Sequence, residues 1–243
     1  MKKLLALILF SHSAILLWGQ SFEGSLIYKT EYQFRISDRV ARAGITEVKM
    51  RKQMKEEGLN LDSMKITYKQ GDYIAYTSVK PAAWSIYKAV DHKIYRFLER
   101  APDLCVVFDA SIDMDARLAR QSPTIVKLDT TAEINGLTCQ VVQVKWKTGS
   151  YFEYWYNPDT LPVDPTLFRG YVYQGWAGYL QLARALPLKI VEYKSGVALI
   201  TTTLIAQRPA KVDPALFIIP KLAPSKEAEK STAANLAMMR VVR

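Results

Sequence analysis

Apolar and polar side chains alternate along residues 22–36. The positions of one parity are apolar, namely Leu26, Tyr28, Tyr32, Phe34 and Ile36. The intervening positions, such as Lys29 and Glu31, are mostly polar or charged. Successive side chains of a strand point to opposite faces, so this pattern predicts a half-buried strand. One wet face is typical of a strand in an antiparallel sheet.

The same two-residue period recurs farther along the chain, on both sides of turn residues. The clearest predicted hairpin spans 138–156, with Thr148-Gly149-Ser150 as its turn. A second spans 188–204 around Ser195-Gly196, and residues 63–128 predict several further strands. The chain therefore predicts a sheet built mainly from neighbouring antiparallel strands.

A helical period replaces the two-residue period at residues 38–57. Its apolar positions are Val40, Ala41, Ile45, Val48 and Met54. Ser37 or Asp38 is a suitable N-cap, and Gly58 is a suitable stop. The pattern predicts an amphipathic helix that covers the sheet, although Gly44 weakens it by about 1 kcal/mol relative to alanine.

The N-terminal residues have the layout of a secretory signal peptide. Lysines precede an apolar stretch that is interrupted at residues 11–13, and Gly19 provides a small residue for cleavage. We expect residues 1–19 to be removed by cleavage after Gly19 or Gln20, and the mature chain to be exported to the periplasm or secreted. The interrupted stretch is too short to span a bilayer of about 30 Å, so we expect no transmembrane segment in the mature chain.

The remaining chain is long enough for one large domain. We expect residues 20–220 to form a single β-rich domain and residues 221–243 to form a flexible or helical tail. The full chain has a net charge of +10, and loss of the signal-peptide lysines leaves +8. The positive charges are scattered, and an exported protein rarely meets nucleic acid. We therefore expect a solvated basic surface and no nucleic-acid partner.

The chain contains two cysteines, Cys105 and Cys139. An oxidising compartment allows a disulfide between them, and such a bridge would contribute roughly 2–4 kcal/mol. Sequence spacing does not fix the separation of their Cα atoms, so two buried free thiols are an equal alternative.

Residues with catalytic or metal-binding potential are few. His92 is the one histidine of the mature chain, and its place in a predicted turn favours a surface role. The sequence contains no Gly-x-Ser-x-Gly elbow, no histidine pair at helical spacing and no glycine-rich phosphate loop. Asp109, Asp113 and Asp115 offer carboxylates to a cation but lack the spacing of an EF-hand loop. We expect no catalytic residue, no metal and no cofactor, and a hydrolase is the weakest alternative.

Aromatic side chains are frequent on the inward parity of the predicted strands. They either pack into a solid core, which is the usual fate of apolar strand faces, or line a cavity that the predicted helix closes. Half-closed barrels can hold one small ligand in this way. The candidate lining residues are Tyr28, Tyr32, Phe34, Val142, Val144, Trp146, Phe152 and Tyr154.

Four segments carry a family resemblance. They are 22–28 (Phe-Glu-Gly-Ser-Leu-Ile-Tyr), 134–139 (Ile-Asn-Gly-Leu-Thr-Cys), 154–159 (Tyr-Trp-Tyr-Asn-Pro-Asp) and 186–189 (Leu-Pro-Leu-Lys). Together they resemble a DUF-type family of bacterial exported proteins related to the periplasmic lipoprotein carriers of the LolA/LolB type. The GLPGLI-type exported proteins are a second family that the chain resembles, although Gly175-Trp176-Ala177-Gly178 departs from their signature.

The resemblance implies both a fold and a function. The fold is α+β and mainly antiparallel β, an incomplete, half-open β-barrel or strongly curved sheet with a covering amphipathic helix. The function is non-enzymatic binding or carriage of a lipid-like ligand or lipoprotein acyl chain in an apolar cavity. The alternative is an envelope interaction or structural protein that has a filled core, an envelope protein as partner and no small ligand.

Overall fold

Strands make up most of the structure, a computed structural model that describes residues 21–56, 62–77, 83–98 and 101–220. The strands are β1 (Gly24–Phe34), β2 (Ser63–Lys69), β3 (Asp72–Thr77), β4 (Ala83–Lys88), β5 (Lys93–Leu98), β6 (Ala101–Asp109), β7 (Thr124–Ile134), β8 (Leu137–Lys145), β9 (Tyr151–Tyr156), β10 (Lys189–Lys194) and β11 (Ala198–Pro209). The helices within these residues are α1 (Asp38–Arg42), α2 (Glu47–Glu56), α3 (Met114–Ala119) and α4 (Trp176–Ala183). Short 3-10 turns lie at Pro165–Phe168, Tyr173–Gly175 and Pro214–Phe217.

All eleven strands belong to one antiparallel sheet, in the order β6-β5-β4-β3-β2-β1-β11-β10-β9-β8-β7. Two meanders meet at β1, which pairs with β2 on one side and with β11 on the other. The edges are β6 and β7, and no ladder joins them among the described residues, so the sheet is not closed into a barrel. The predicted antiparallel, open sheet is confirmed, as are the hairpins β8–β9 and β10–β11.

Two predicted segments lie outside the described residues. They are the signal peptide over 1–19, with its cleavage at Gly19 or Gln20, and the tail over 221–243. Both stay predictions. In the part of the chain that the structure describes, no helix is long and apolar enough to cross a membrane.

The sheet is strongly curved. Tyr87 on β4 and Tyr154 on β9 are six strands apart in the sheet order. That separation would be about 29 Å in a flat sheet with a strand spacing of about 4.8 Å. Two rings bridge the gap, with centroid distances of 4.7 Å (Tyr87 to Tyr171), 6.2 Å (Tyr171 to Trp176) and 5.5 Å (Trp176 to Tyr154). Tyr87 and Tyr154 therefore face each other across the concave face of the sheet.

The segment predicted as one helix over 38–57 is divided in the structure, and its predicted position over the sheet is not confirmed. The segment forms α1 and α2, which are separated at residues 43–46, where Gly44 has a left-handed φ of +78°. No side chain of α1 is buried, and Val48 on α2 is 77% exposed. Charged residues occupy most of both helices, and burying them would carry a large desolvation penalty.

The connection between β9 and β10, residues 157–188, covers part of the concave face instead. It contains α4, which buries Tyr179, Leu180 and Ala183. Gly175 and Gly178 allow this segment to approach the sheet, because a Cβ at these positions would overlap Val144 and Ile125 respectively. The sequence pattern did not predict that this connection packs on the concave face.

A second, smaller core lies on the opposite face of β3 to β6. It consists of Ile74, Ile86, Phe97 and Cys105, covered by Val212 and Phe217 from the chain after β11. Glu23 holds this covering segment in place, since its carboxylate accepts a hydrogen bond from the Val212 N–H (2.6 Å) and pairs with Lys69 (3.0 Å). The sheet is thus packed on both faces at β3 to β6.

The two cysteines do not form a disulfide. Cys105 on β6 and Cys139 on β8 are both free and buried, and their strands lie at opposite ends of the sheet order. Cys105 belongs to the smaller core and Cys139 to the main core. Burial raises the pKa of the Cys105 thiol to about 11, so this thiol stays protonated at neutral pH. The alternative of two buried thiols is the one the structure shows.

Candidate ligand-binding site

The predicted lining residues share the concave face. The strand pairings place Tyr28, Tyr32 and Phe34 of β1 on the same face as Leu204, Ile200 and Ala198 of β11. They likewise pair Val142 with Tyr154 and Val144 with Phe152. Trp146 follows β8 and meets Phe152 edge-on, with ring centroids 5.9 Å apart. The parity that the sequence pattern assigned to these side chains is therefore the parity of one face.

Six of these eight residues are buried in a filled core: Tyr28, Val142, Val144, Trp146, Phe152 and Tyr154. Tyr154 stacks on Tyr179 of α4 at 4.4 Å between ring centroids, and its hydroxyl donates to the Gln174 carbonyl (2.9 Å). The Tyr28 hydroxyl donates to the Pro187 carbonyl (2.9 Å). The 157–188 connection lies directly above Tyr28, Val144 and Tyr154. The role of the six as cavity-lining residues stays a prediction. We refer to this part of the concave face as the filled region.

Beyond the filled region, a band of half-buried side chains crosses the same face. The remaining predicted residues, Tyr32 and Phe34, lie here. The other members are Met64, Thr77, Ser85, Arg96, Ile190, Glu192, Ile200 and Thr202, all placed on this face by the strand register. We call this set the half-open band. It mixes apolar side chains with hydroxyls and two opposite charges, which is the composition of a site for an amphipathic molecule.

Charges on both walls of the half-open band affect Tyr173. Burial raises the pKa of its hydroxyl to about 12, the Glu192 carboxylate adds to that rise, and the Arg96 guanidinium opposes it. Arg96 on β5 and Glu192 on β10 are six strands apart in the sheet order, the same separation as Tyr87 and Tyr154, which the curvature brings face to face. The two walls therefore face each other across a concave space.

The β10 wall of the band is acidic. Burial raises the pKa of Glu192, and neighbouring Asp115 adds to the rise, whereas Lys194 opposes it from 3.4 Å. Burial and the adjacent Asp113 also raise the pKa of Asp115. The β5 wall carries Arg96, so charge is distributed unevenly across the band.

The arm formed by residues 37–56 stands at the rim of the band. The Ser37 N–H donates to the Gly196 carbonyl (2.9 Å), which fixes the arm to the β10–β11 turn. Arg51 of α2 lies over the Phe34 ring, with its Cζ 4.7 Å from the ring centroid. The arm contains six basic and three acidic residues, so the rim is positively charged.

Two of the three aspartates considered for a cation, Asp109 and Asp113, serve structural roles. Asp113 caps α3 by accepting the Ala116 N–H (2.9 Å) and also accepts the Trp146 indole N–H (3.0 Å). Asp109 accepts the Ser111 N–H (2.9 Å) in the chain after β6. Among the described residues, no three His, Cys, Asp or Glu side chains are grouped so as to hold a metal ion.

His92 occupies the β4–β5 turn with a left-handed φ of +56°. Its ring packs directly on Gly170, where any Cβ would overlap the imidazole. Its Nδ1 is buried and has no hydrogen-bond partner among the described residues. The ring is therefore a packing element between the turn and the 157–188 connection, rather than the surface residue that the sequence favoured.

Sequence reasoning missed most of the half-open band. Ser85, Arg96 and Glu192 were not among the predicted lining residues. A signal was present for Arg96, because it shares the parity of Ile94 within one predicted strand. A charged side chain on an apolar parity is a useful marker of a wet or functional part of a sheet face.

No family model and no curated protein matches the chain. Among solved structures, it is similar to PNGF-II at 14% identity and a TM-score of 0.40, over 80% of this chain and 29% of the PNGF-II chain. It is also similar to a LolA superfamily protein from Nitrosomonas europaea (9% identity, TM-score 0.34, 85% of this chain and 93% of that one). A DUF1329 family protein from Desulfovibrio piger aligns with 9% identity and a TM-score of 0.31, over 88% and 95% of the two chains. Membership of the LolA/LolB-related family stays a prediction.

Proposed function

We propose that the chain is an exported, non-enzymatic protein that binds a lipid-like ligand in the half-open band. One observation carries the proposal. The concave face is filled over Tyr28 and Tyr154, yet inward-facing apolar side chains such as Tyr32, Phe34 and Ile200 are only half-buried beside them. Apolar groups on an inward face that the fold covers only in part are suited to an apolar ligand.

Burial of the ligand's chain supplies the driving force. Each Å² of apolar surface removed from water contributes about 25 cal/mol, so covering Tyr32, Met64 and Ile200 favours binding. Because the filled region takes up most of the predicted cavity, the band suits one acyl chain better than several. The predicted signal peptide over 1–19 supports a ligand met in the periplasm or outside the cell, such as a lipid or a lipoprotein acyl chain.

Native mass spectrometry with solvent extraction tests the proposal on protein purified from its own envelope. We expect a reproducible extra mass that extracts as a lipid, and uptake of a fluorescent fatty acid by the stripped protein. A bare mass without uptake of the fatty acid contradicts the proposal. Ile200→Gln, in the band, should weaken uptake, and Ile205→Gln serves as the matched control because Ile205 is exposed on the same strand.

A second function is favoured by a specific observation. Six of the eight predicted lining residues belong to a filled core, as an envelope interaction or structural protein without a small ligand would require. In that case the protein should carry no extra mass. Deletion of residues 221–243 should then weaken a co-purifying envelope protein, and an unchanged set of co-purifying proteins counts against this alternative.

A further inference from the structure

We propose that Arg96 is the residue that selects an anionic head group, a carboxylate or phosphate, on the ligand of the half-open band. This inference rests on the proposed function and specifies the chemistry of its ligand. It assigns the apolar part of the ligand to the band's aliphatic and aromatic side chains, and its anionic end to the β5 wall.

The position of Arg96 is fixed by its strand neighbours. Ile94, two residues earlier, belongs to the main core on the concave face, whereas Tyr95 and Phe97 pack in the smaller core on the opposite face. Arg96 is half-buried and pairs in register with Ser85 of β4. Ile94 pairs in register with Tyr87 of the main core, so Arg96, on the same parity, projects onto the concave face.

The guanidinium has no partner within the described residues. Neither Arg96 nor Ser85 makes a side-chain hydrogen bond or an ion pair with any of them. A half-buried guanidinium loses hydration, and an oxyanion restores the lost interactions through its paired N–H donors. The Ser85 hydroxyl, on the directly opposed residue, adds a further donor for the same anion.

The surrounding charges give the ligand one orientation. Glu192 lies on the β10 wall, across the concave face from Arg96, and its carboxylate repels an anion from that side while pairing with Lys194 at 3.4 Å. An anionic head group is therefore favoured at Arg96 and disfavoured at the opposite wall.

A pair of fluorescent probes that differ only in charge tests the inference. The probes are dansyl-labelled undecanoic acid and its methyl ester, titrated into the stripped full-length protein. We expect the wild type to bind the acid about tenfold more tightly than the ester, as a charge-assisted hydrogen bond allows. Arg96→Gln should lower the affinity for the acid to about that for the ester, so that the preference is lost, and Arg96→Lys should restore part of it.

Matched controls separate the possible outcomes. Arg208→Gln removes an exposed arginine on β11 and should keep the full preference for the acid. Circular dichroism and the urea midpoint establish that each variant is folded. Equal binding of acid and ester by the wild type, or a preference that survives Arg96→Gln, overturns the role of Arg96 and leaves the proposed function standing. Failure of both probes to bind the wild type overturns the proposed function as well.

Discussion

The filled region and the half-open band lie on one face of one sheet, and they differ in what covers them. In the filled region, Tyr28 and Tyr154 meet the 157–188 connection and are almost fully buried. In the band, Tyr32 and Phe34 continue the same parity of β1 but remain half-exposed. The strand pattern is the same in both regions. Whether the side chains of a strand face are buried is therefore decided by the connection that packs on that face.

The tyrosine hydroxyls show why the connection fits the filled region. Its irregular backbone leaves carbonyl groups outside any ladder, and buried polar groups require partners. The carbonyls of Gln174, Ala185 and Pro187 accept hydrogen bonds from the hydroxyls of three buried tyrosines, Tyr154, Tyr179 and Tyr28 respectively. Aromatic burial and hydroxyl satisfaction in the filled region are thus achieved by the same segment.

Among the variants considered, Tyr179→Ala in the filled region should cause the largest loss of stability. Its ring contacts Tyr154, Tyr156 and Trp176, so Tyr179→Ala should lower the free energy of unfolding by about 3–5 kcal/mol. Phe34→Ala in the band should lower it by less than about 1 kcal/mol, since half-exposed positions lose little on truncation. Urea denaturation monitored by circular dichroism measures both. Similar losses for the two variants would remove the distinction between the regions.

Gly175→Ala should produce the next largest effect. The new Cβ would overlap Val144, and the backbone has a φ of +70°. Overpacking together with the left-handed strain should lower the free energy of unfolding by about 2–4 kcal/mol. Gly136→Ala is the matched control, because its φ of +75° is similar and no heavy atom lies within 4 Å of the new Cβ. If both variants lose the same stability in urea, the close approach of the connection to β8 is not tight.

Glu192, on the acidic β10 wall of the band, should make the stability of the protein depend on pH. Burial raises the folded-state pKa of Glu192 above its ordinary value of 4.5, so its ionisation destabilises the fold as pH rises through the window between these values. Glu192→Gln should therefore be stabilised relative to wild type at about pH 7 but not at about pH 4. Glu31→Gln should instead be less stable than wild type at about pH 7, because the hydrogen bond from Lys29 lowers the pKa of Glu31 and favours its ionised form in the folded state. Urea midpoints at both pH values provide the measurement.

The contact between the arm and the band should have the smallest effect on stability. Arg51 lies over the Phe34 ring at an exposed position, where a cation–π contact is worth about 0.5–1 kcal/mol. Arg51→Ala should therefore shift the urea midpoint only slightly, and Arg51→Lys should shift it less. A loss as large as that of Tyr179→Ala would show that the arm covers the sheet after all.

The strands could be predicted from the sequence more successfully than the segments that pack on the sheet. Alternation in residues 22–36 and 138–156 identified β1, β8 and β9 because a strand's period is local. The long connection has no such period, so the packing of Trp176 and Tyr179 on the sheet could not be derived from it. The helix predicted over 38–57 is divided in the structure because its apolar stripe is short, charged residues surround it, and Gly44 interrupts it. The Arg96–Glu192 arrangement depends on the curvature that brings β5 opposite β10, which no local pattern encodes.

Methyl NMR of the labelled protein tests the central claim most directly. Dansyl-labelled undecanoic acid is added, and the methyl resonances of the two regions are followed. The account predicts shifts at Met64, Ile190 and Ile200 in the half-open band, while Val142, Val144 and Leu180 in the filled region stay unchanged. Shifts in the filled region, or no shift in either region, would contradict it.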